Sequence, residues 1–113
     1  MPREIGIKKA MGMLVTGRRV SAQEGKDLGF VNEVSRKNSV LDTAKDWAGL
    51  ILECAPLSVR ASKEAAMLGM NASGIEEAIK SRYKQVQLMQ KSSDFVEGPR
   101  AFSEKRPPNW KGL

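Results

Sequence analysis

Residues 92–113 have the sequence SSDFVEGPRAFSEKRPPNWKGL, and this stretch decides the fold prediction. Its spacing predicts a helix over residues 94–105, with Asp94 as the cap and Glu97 reaching back to it. The pair Pro107-Pro108 ends the helix, because proline cannot continue one. The segment carries apolar and basic side chains together: Phe95, Val96, Phe102, Arg100, Lys105, Arg106 and Lys111. A ligand that is apolar at one end and polyanionic at the other would suit such a surface.

The rest of the chain predicts further helices, because apolar residues recur at the helical period. The first covers residues 8–16, with Gly17 just after its end. A capping box of Ser21 and Glu24 predicts a short helix that ends at Gly29. Further helices are predicted from residue 40 to Pro56, from Pro56 to about residue 68, and over residues 74–91 behind a capping box SGIE (residues 73–76).

One segment predicts a strand. The sequence FVNEV, from Phe30 to Val34, alternates apolar and polar residues and contains β-branched ones. The chain offers no obvious partner strand for it. The predicted fold class is therefore mainly α with one short orphan strand, divided into residues 1–38 (two short helices and the strand) and residues 39–113 (a helical region).

Composition excludes several classes of partner. The chain has 113 residues and a net charge of +6, but its basic residues form no long run. A nucleic-acid binder would rest on the charge alone and is not favoured. The longest apolar run has only a few residues, so no membrane span is predicted. The single cysteine, Cys54, favours a reducing compartment, and we expect a cytoplasmic protein.

The residue types present also exclude several kinds of chemistry. The chain has no histidine and one cysteine, so we predict neither a serine–histidine–aspartate triad nor a metal site. Acid–base work would fall to Asp, Glu, Lys or Tyr. Glu97 and Glu104 are predicted to be a capping residue and a surface charge, and Cys54 an inert buried thiol.

Four segments resemble the enoyl-CoA hydratase/isomerase (crotonase) family in order and spacing. They are PREIG (2–6), KKAMGMLVTGRRVSAQEGKDLGFVNEV (8–34), APLSVRASKEA (55–65) and DFVEGPRAFSEKRPPNWKG (94–112). The fold that this resemblance implies is a spiral of ββα units followed by a helical trimerisation region. Residues 1–38 resemble the end of the spiral and residues 39–113 the C-terminal helical region.

The resemblance implies acyl-CoA or fatty acid metabolism, with hydration of a trans-2-enoyl-CoA as the expected reaction. Coenzyme A thioester is the implied substrate, with no covalently bound cofactor. The family's oxyanion hole and its two catalytic glutamates precede the segment PREIG, so no residue here receives a catalytic role. We therefore expect residues 1–113 alone to be inactive. Isomerase, dehalogenase and decarboxylase reactions remain alternatives.

Two site residues follow from the resemblance. Phe102 matches a position that lines the acyl pocket, and Lys105 matches one that reaches the coenzyme A phosphates, often those bound by a neighbouring subunit. The implied assembly is a trimer or a dimer of trimers. A non-catalytic oligomerisation module is the alternative, because the apolar helix faces need cover.

Overall fold

A computed structural model describes residues 2–37 and 39–113. In these residues it contains the following helices: α1 (Pro2–Ile5), α2 (Ile7–Thr16), α3 (Ala22–Leu28), α4 (Val40–Leu52), α5 (Pro56–Gly69), α6 (Ile75–Lys80), α7 (Lys84–Gln90) and α8 (Ser93–Ser103). The mainly α fold class is confirmed. The chain forms two compact units, one up to Ala44 and the other Lys45–Leu113.

The strand predicted between Phe30 and Val34 is wrong: the described part of the chain contains no strand. The backbone N–H groups of Phe30 and Val31 instead donate to the carbonyl oxygen of Gly25, at 3.1 and 3.2 Å. They thus complete the end of α3 after Gly29, which has a φ of 92°. A strand needs a ladder partner, and in its absence the N–H groups bond to the helix end.

In the first unit, most of the helix ends predicted from capping residues are confirmed. In α2, the N–H of Gly17 (φ 60°) donates to the carbonyl oxygen of Met13, as a left-handed helix cap does. Ser21 caps α3 by accepting the N–H of Glu24 at 3.1 Å. The other half of that capping box is wrong, because the Glu24 carboxylate binds Arg18 at 2.6 and 3.1 Å. The guanidinium of Arg18 offers the Glu24 carboxylate two charge-assisted hydrogen bonds, and it takes the place of the single backbone N–H of Ser21.

Gly25 leaves room for two side chains that fold over α3. A Cβ added there would lie 2.8 Å from Cγ2 of Val31 and 3.1 Å from the ring of Phe30. Gly25→Ala is therefore expected to lower the free energy of unfolding by about 1 kcal/mol, because overpacking outweighs the gain in helix propensity.

Gly12→Ala is the matched control for that prediction. Gly12 is exposed within α2, and nothing lies within 4 Å of its added Cβ. This substitution should raise the free energy of unfolding by about 1 kcal/mol. Urea unfolding followed by circular dichroism measures both variants, and two changes of the same sign would contradict the packing argument.

In the second unit, α5 packs against α6 and α7, and α8 contacts α7. Leu57 and Ala61 are buried on α5, and Pro56 occupies its first turn as predicted. The single helix predicted over residues 74–91 is wrong, because residues 81–83 separate α6 from α7. The Glu64 carboxylate accepts the N–H of Gln85 at 2.6 Å, and this contact from α5 supports a new helix start.

The cap predicted at the start of α6 also differs. The Glu77 carboxylate, not that of Glu76, accepts both the N–H and the hydroxyl of Ser73, at 2.8 and 2.6 Å. The helix begins one residue later than the capping box assumed, with Gly74 as its N-cap. Glu77 is then the third helical residue, from which a carboxylate reaches back over the helix start.

Candidate functional site

The site is built on α8 and on residues 104–113, which turn back along it. Ser92 is the N-cap and accepts the N–H of Phe95 at 3.2 Å. The predicted cap, Asp94, has another role. Asp94 is only 4% exposed, and its carboxylate accepts the N–H groups of Lys111 and Gly112, both at 2.8 Å. Asp94 therefore holds the returning segment against the start of the helix.

Other contacts hold the same segment in place. The Trp110 indole N–H donates to the carbonyl oxygen of Glu53 at 2.8 Å. A Cβ added to Gly98 would lie 3.3 Å from Cη2 of Trp110, so the indole packs closely on α8 where no side chain intervenes. Ser93 donates its N–H and its hydroxyl to the carbonyl oxygen of Leu113, at 2.8 and 3.0 Å. Residues 107–113 are thus an ordered part of the site.

The helix ends in a Schellman motif that has lysine at its left-handed position. The N–H of Lys105 donates to the carbonyl oxygen of Phe102 at 3.2 Å, and that of Arg106 to Ala101 at 3.1 Å. Lys105 has a φ of 51°, and no other described residue except glycine has a positive φ. This conformation costs a residue with a Cβ about 1–2 kcal/mol, which is why glycine usually occupies it.

An ionic network surrounds that turn. Arg106 binds both carboxylate oxygens of Glu97, at 2.6 and 3.0 Å, and donates from Nε to Glu104 at 2.6 Å. Arg100 also binds Glu104, at 2.9 Å. Glu97 accepts the N–H of Asn109 at 2.8 Å as well. The prediction that Glu97 caps the helix is therefore wrong, whereas Glu104 is the exposed surface charge that was predicted and pairs with two arginines.

The network changes the acidity of its members. Hydrogen bonds from Arg106 and then from the N–H of Asn109 lower the pKa of Glu97 to about 2. The hydrogen bond from Arg100, followed by that from Arg106, lowers the pKa of Glu104. The bond to Glu97 raises the pKa of Arg106 above its usual value. Both glutamates therefore stay ionised at neutral pH, and neither holds a proton that it could donate.

The depressed pKa of Glu97 predicts a pH dependence of stability. Unfolding returns this pKa from about 2 to about 4.5. The stabilisation is therefore fully present above pH 5 and is lost as the pH falls through the window from about 4.5 to 2. We expect Glu97→Gln to flatten the fall of the melting temperature in this window. Thermal unfolding followed by circular dichroism from pH 7 to 2 measures the melting temperature. The same fall below pH 4.5 in Glu97→Gln as in the unchanged protein would contradict this role of Glu97.

The two site residues inferred from sequence lie at the same end of α8. Phe102 is 89% exposed and Lys105 is also exposed. Within the residues described, Lys105 takes part in no ion pair, whereas Arg100 and Arg106 are both paired. An open groove of about 600 Å³ beside α8 includes neither Phe102 nor Lys105; it is lined by Ser93, Asp94, Val96, Glu97, Arg100, Arg106, Asn109 and Lys111.

The roles of Asp94, Glu97 and Trp110 do not follow from the sequence pattern. The partners of Asp94 and Glu97, and Trp110 itself, follow a change in chain direction at Lys105, so helical spacing cannot reveal these contacts. The Pro107-Pro108 pair is the one signal of that change, because it stops the helix. Cys54 was predicted to be buried, and this is wrong because the residue is exposed.

No set of three or more possible metal-binding side chains occurs within residues 2–37 and 39–113. No helix in this described part is long and apolar enough to span a membrane.

Comparison with known proteins supports the resemblance over the whole chain. The profile of the enoyl-CoA hydratase/isomerase family matches residues 1–113. The chain is 37% identical over 112 residues to (E)-benzylidenesuccinyl-CoA hydratase of Thauera aromatica, covering 99% of this chain and 43% of that protein. It is 41% identical over 104 residues to carnitinyl-CoA dehydratase of Proteus mirabilis, covering 88% of this chain and 40% of that protein.

A solved structure gives the same result. The crystal structure of an enoyl-CoA hydratase from Bacillus anthracis superposes with a TM-score of 0.90 at 34% identity, covering 99% of this chain and 43% of that one. The chain thus spans less than half the length of the relatives it matches. With its fold matching the C-terminal helical part of these proteins, the chain belongs to the enoyl-CoA hydratase/isomerase family.

Proposed function

We propose that the whole protein adds water to, or removes it from, an acyl thioester of coenzyme A. In this proposal Lys105 binds a phosphate of coenzyme A and Phe102 forms part of the apolar wall of the acyl site. The observation that carries it is the end of α8, where a lysine that pairs with no carboxylate of the described residues is held in a costly backbone conformation, three residues after an exposed phenylalanine. Strained conformations persist only where surrounding contacts hold them, and they cluster at active sites and ligand-binding sites.

The names of the relatives support the class of reaction. The benzylidenesuccinyl-CoA hydratase and the carnitinyl-CoA dehydratase share a coenzyme A thioester and the gain or loss of water. A lysine suits the nucleotide end of such a ligand, since its ammonium is a compact charge that phosphate binds well. The exposed apolar ring suits the other end. The lone cysteine fits a cytoplasmic location, which stays a prediction.

Residues 92–113 do not offer the acid–base pair that hydration needs. A useful general acid has a pKa near the working pH, and the pKa of Glu97 is about 2. Asp94 is buried and holds two backbone N–H groups. We propose that this segment binds ligand while other parts of the protein perform the chemistry. Since the family resemblance also gives no catalytic residue to the rest of the chain, we expect residues 1–113 alone not to hydrate crotonyl-CoA.

A test of the binding role is calorimetric titration with acetoacetyl-CoA. Saturable binding that Lys105→Ala weakens about tenfold or more would support it, since a charge-assisted hydrogen bond contributes about 1.5–3 kcal/mol. Lys63→Ala is the control, because it removes the same charge from an exposed position on α5. Equal weakening by both variants would indicate general charge attraction, and no binding at all would contradict the proposal.

A second candidate function is a non-catalytic oligomerisation module. Large apolar side chains are exposed on three helices: Leu50 (60%), Ile51 (51%), Leu52 (81%), Ile75 (81%), Ile79 (76%) and Met67 (60%). Exposed apolar residues in such number mark surfaces that another protein surface covers. A trimer or a dimer of trimers would provide this cover. Sedimentation equilibrium tests it, and a monomer at high concentration would contradict it.

A further inference from the structure

The left-handed conformation of Lys105 needs support from outside the residue. The two backbone bonds of the Schellman motif fix the turn, but a residue with a Cβ is disfavoured there. Such a conformation persists where the surrounding contacts over-determine it. The contacts on both sides of Lys105 therefore decide where its ammonium group is presented.

One glutamate anchors the chain after the turn. Glu97 lies on α8 and binds the guanidinium of Arg106 with both carboxylate oxygens, at 2.6 and 3.0 Å. The same carboxylate accepts the N–H of Asn109 at 2.8 Å. Its side chain is only 19% exposed, so solvent screens the pair less than it would a fully exposed one. Glu97 thus fixes two residues that follow Lys105.

One arginine joins both sides of the turn. Arg106 donates to Glu104, the residue before Lys105, at 2.6 Å, and to the carbonyl oxygen of Pro107 at 3.1 Å. With its bond to Glu97, this guanidinium connects the helix, its last residues and the returning segment. The planar fork of an arginine can hold three such partners in fixed directions, which a lysine cannot do.

We propose that Glu97 and Arg106 are positioning residues that hold Lys105 in its left-handed conformation and so set the affinity for the phosphate end of the ligand. The inference rests on the proposed function, in which Lys105 contacts phosphate. Neither Glu97 nor Arg106 needs to touch the ligand. Their effect passes through the backbone of the turn.

The test compares acetyl-CoA with S-acetylpantetheine, which lacks the whole 3′-phosphoadenosine diphosphate end of the ligand. The dissociation constant of S-acetylpantetheine divided by that of acetyl-CoA reports the part of binding that comes from the phosphorylated nucleotide, and the change in this ratio on Lys105→Ala reports the share that depends on the lysine. We expect Glu97→Gln to reduce this ratio roughly tenfold, because residues coupled in one network share interaction energy. Combined with Lys105→Ala, it should cause little further loss. A variant that only loosens the fold would weaken both probes equally.

Glu64→Gln is the matched control. It makes the same chemical change in a carboxylate that accepts a backbone N–H, at the start of α7 instead of the end of α8. It should lower the melting temperature without changing the ratio. Arg106→Lys should reduce the ratio as Glu97→Gln does, since lysine keeps the charge but loses the fork.

A second measurement needs no ligand. The Arg106 N–H bonds to Ala101 only while Lys105 is left-handed, so hydrogen exchange at this amide reports the turn itself. We expect roughly tenfold faster exchange there in Glu97→Gln, and unchanged exchange there in Glu64→Gln.

The two measurements separate the inference from the proposed function. If Lys105→Ala leaves the ratio unchanged, the phosphate role fails, whatever the exchange shows. If Lys105→Ala lowers the ratio but Glu97→Gln changes neither the ratio nor the exchange, the positioning inference is overturned alone. Additive losses in the double variant would also overturn it.

Discussion

Asp94→Ala is expected to lower the free energy of unfolding by about 3 kcal/mol. Asp94 is 4% exposed, and its carboxylate is the acceptor for two backbone N–H groups, those of Lys111 and Gly112. Hydrogen bonds to a charged group contribute about 1.5–3 kcal/mol each. The variant also loses a negative charge from the first turn of α8, where the helix dipole favours it. Part of the loss is recovered because the freed N–H groups reach water once the segment detaches.

Urea unfolding followed by circular dichroism measures this loss, with Ser93→Ala as the control. The Ser93 hydroxyl is exposed and donates to Leu113, but the N–H of Ser93 keeps that carbonyl bonded. Removal of this hydroxyl should lower the free energy of unfolding by less than about 1 kcal/mol. In Asp94→Ala the fluorescence of Trp110 should also shift to the red as its ring leaves Gly98. Equal losses in the two variants would show that Asp94 does not anchor the segment.

The parts of the fold that sequence predicted are those decided by neighbours in the chain. Gly17 ends α2, Ser21 starts α3 and Pro56 opens α5, each through contacts within one helical turn. Such contacts follow from spacing alone. The FVNEV segment shows the limit of this approach. Its alternation indicates a strand, but a strand also needs a partner, and in the structure its first N–H groups bond to Gly25.

The partners of the acidic residues could not be predicted from the spacing of neighbouring residues. Spacing assigned Glu24 and Glu97 to helix starts, yet each binds an arginine. A bidentate guanidinium offers two charge-assisted bonds where a cap offers one N–H. Glu97 meets Arg106 only because the chain reverses at Lys105. No sequence rule predicts a lysine at that left-handed position, since glycine or asparagine is the usual residue.

Lys105→Gly is expected to raise the free energy of unfolding by about 0.5–1 kcal/mol, because glycine adopts a φ of 51° without strain. The gain is smaller than the strain itself, since glycine also gives the unfolded chain more freedom. The same substitution should weaken acetyl-CoA binding about 10- to 100-fold, through loss of one charge-assisted contact with phosphate.

Lys105→Ala separates the two effects. It removes the ammonium group but keeps the Cβ, so its affinity should fall as in Lys105→Gly while its stability stays close to that of the unchanged protein. Thermal unfolding and calorimetric titration of the three proteins measure both quantities. Higher stability together with weaker binding in Lys105→Gly would mean that the lysine destabilises the fold but strengthens ligand binding. Higher stability with full affinity would leave the strained lysine without a binding role.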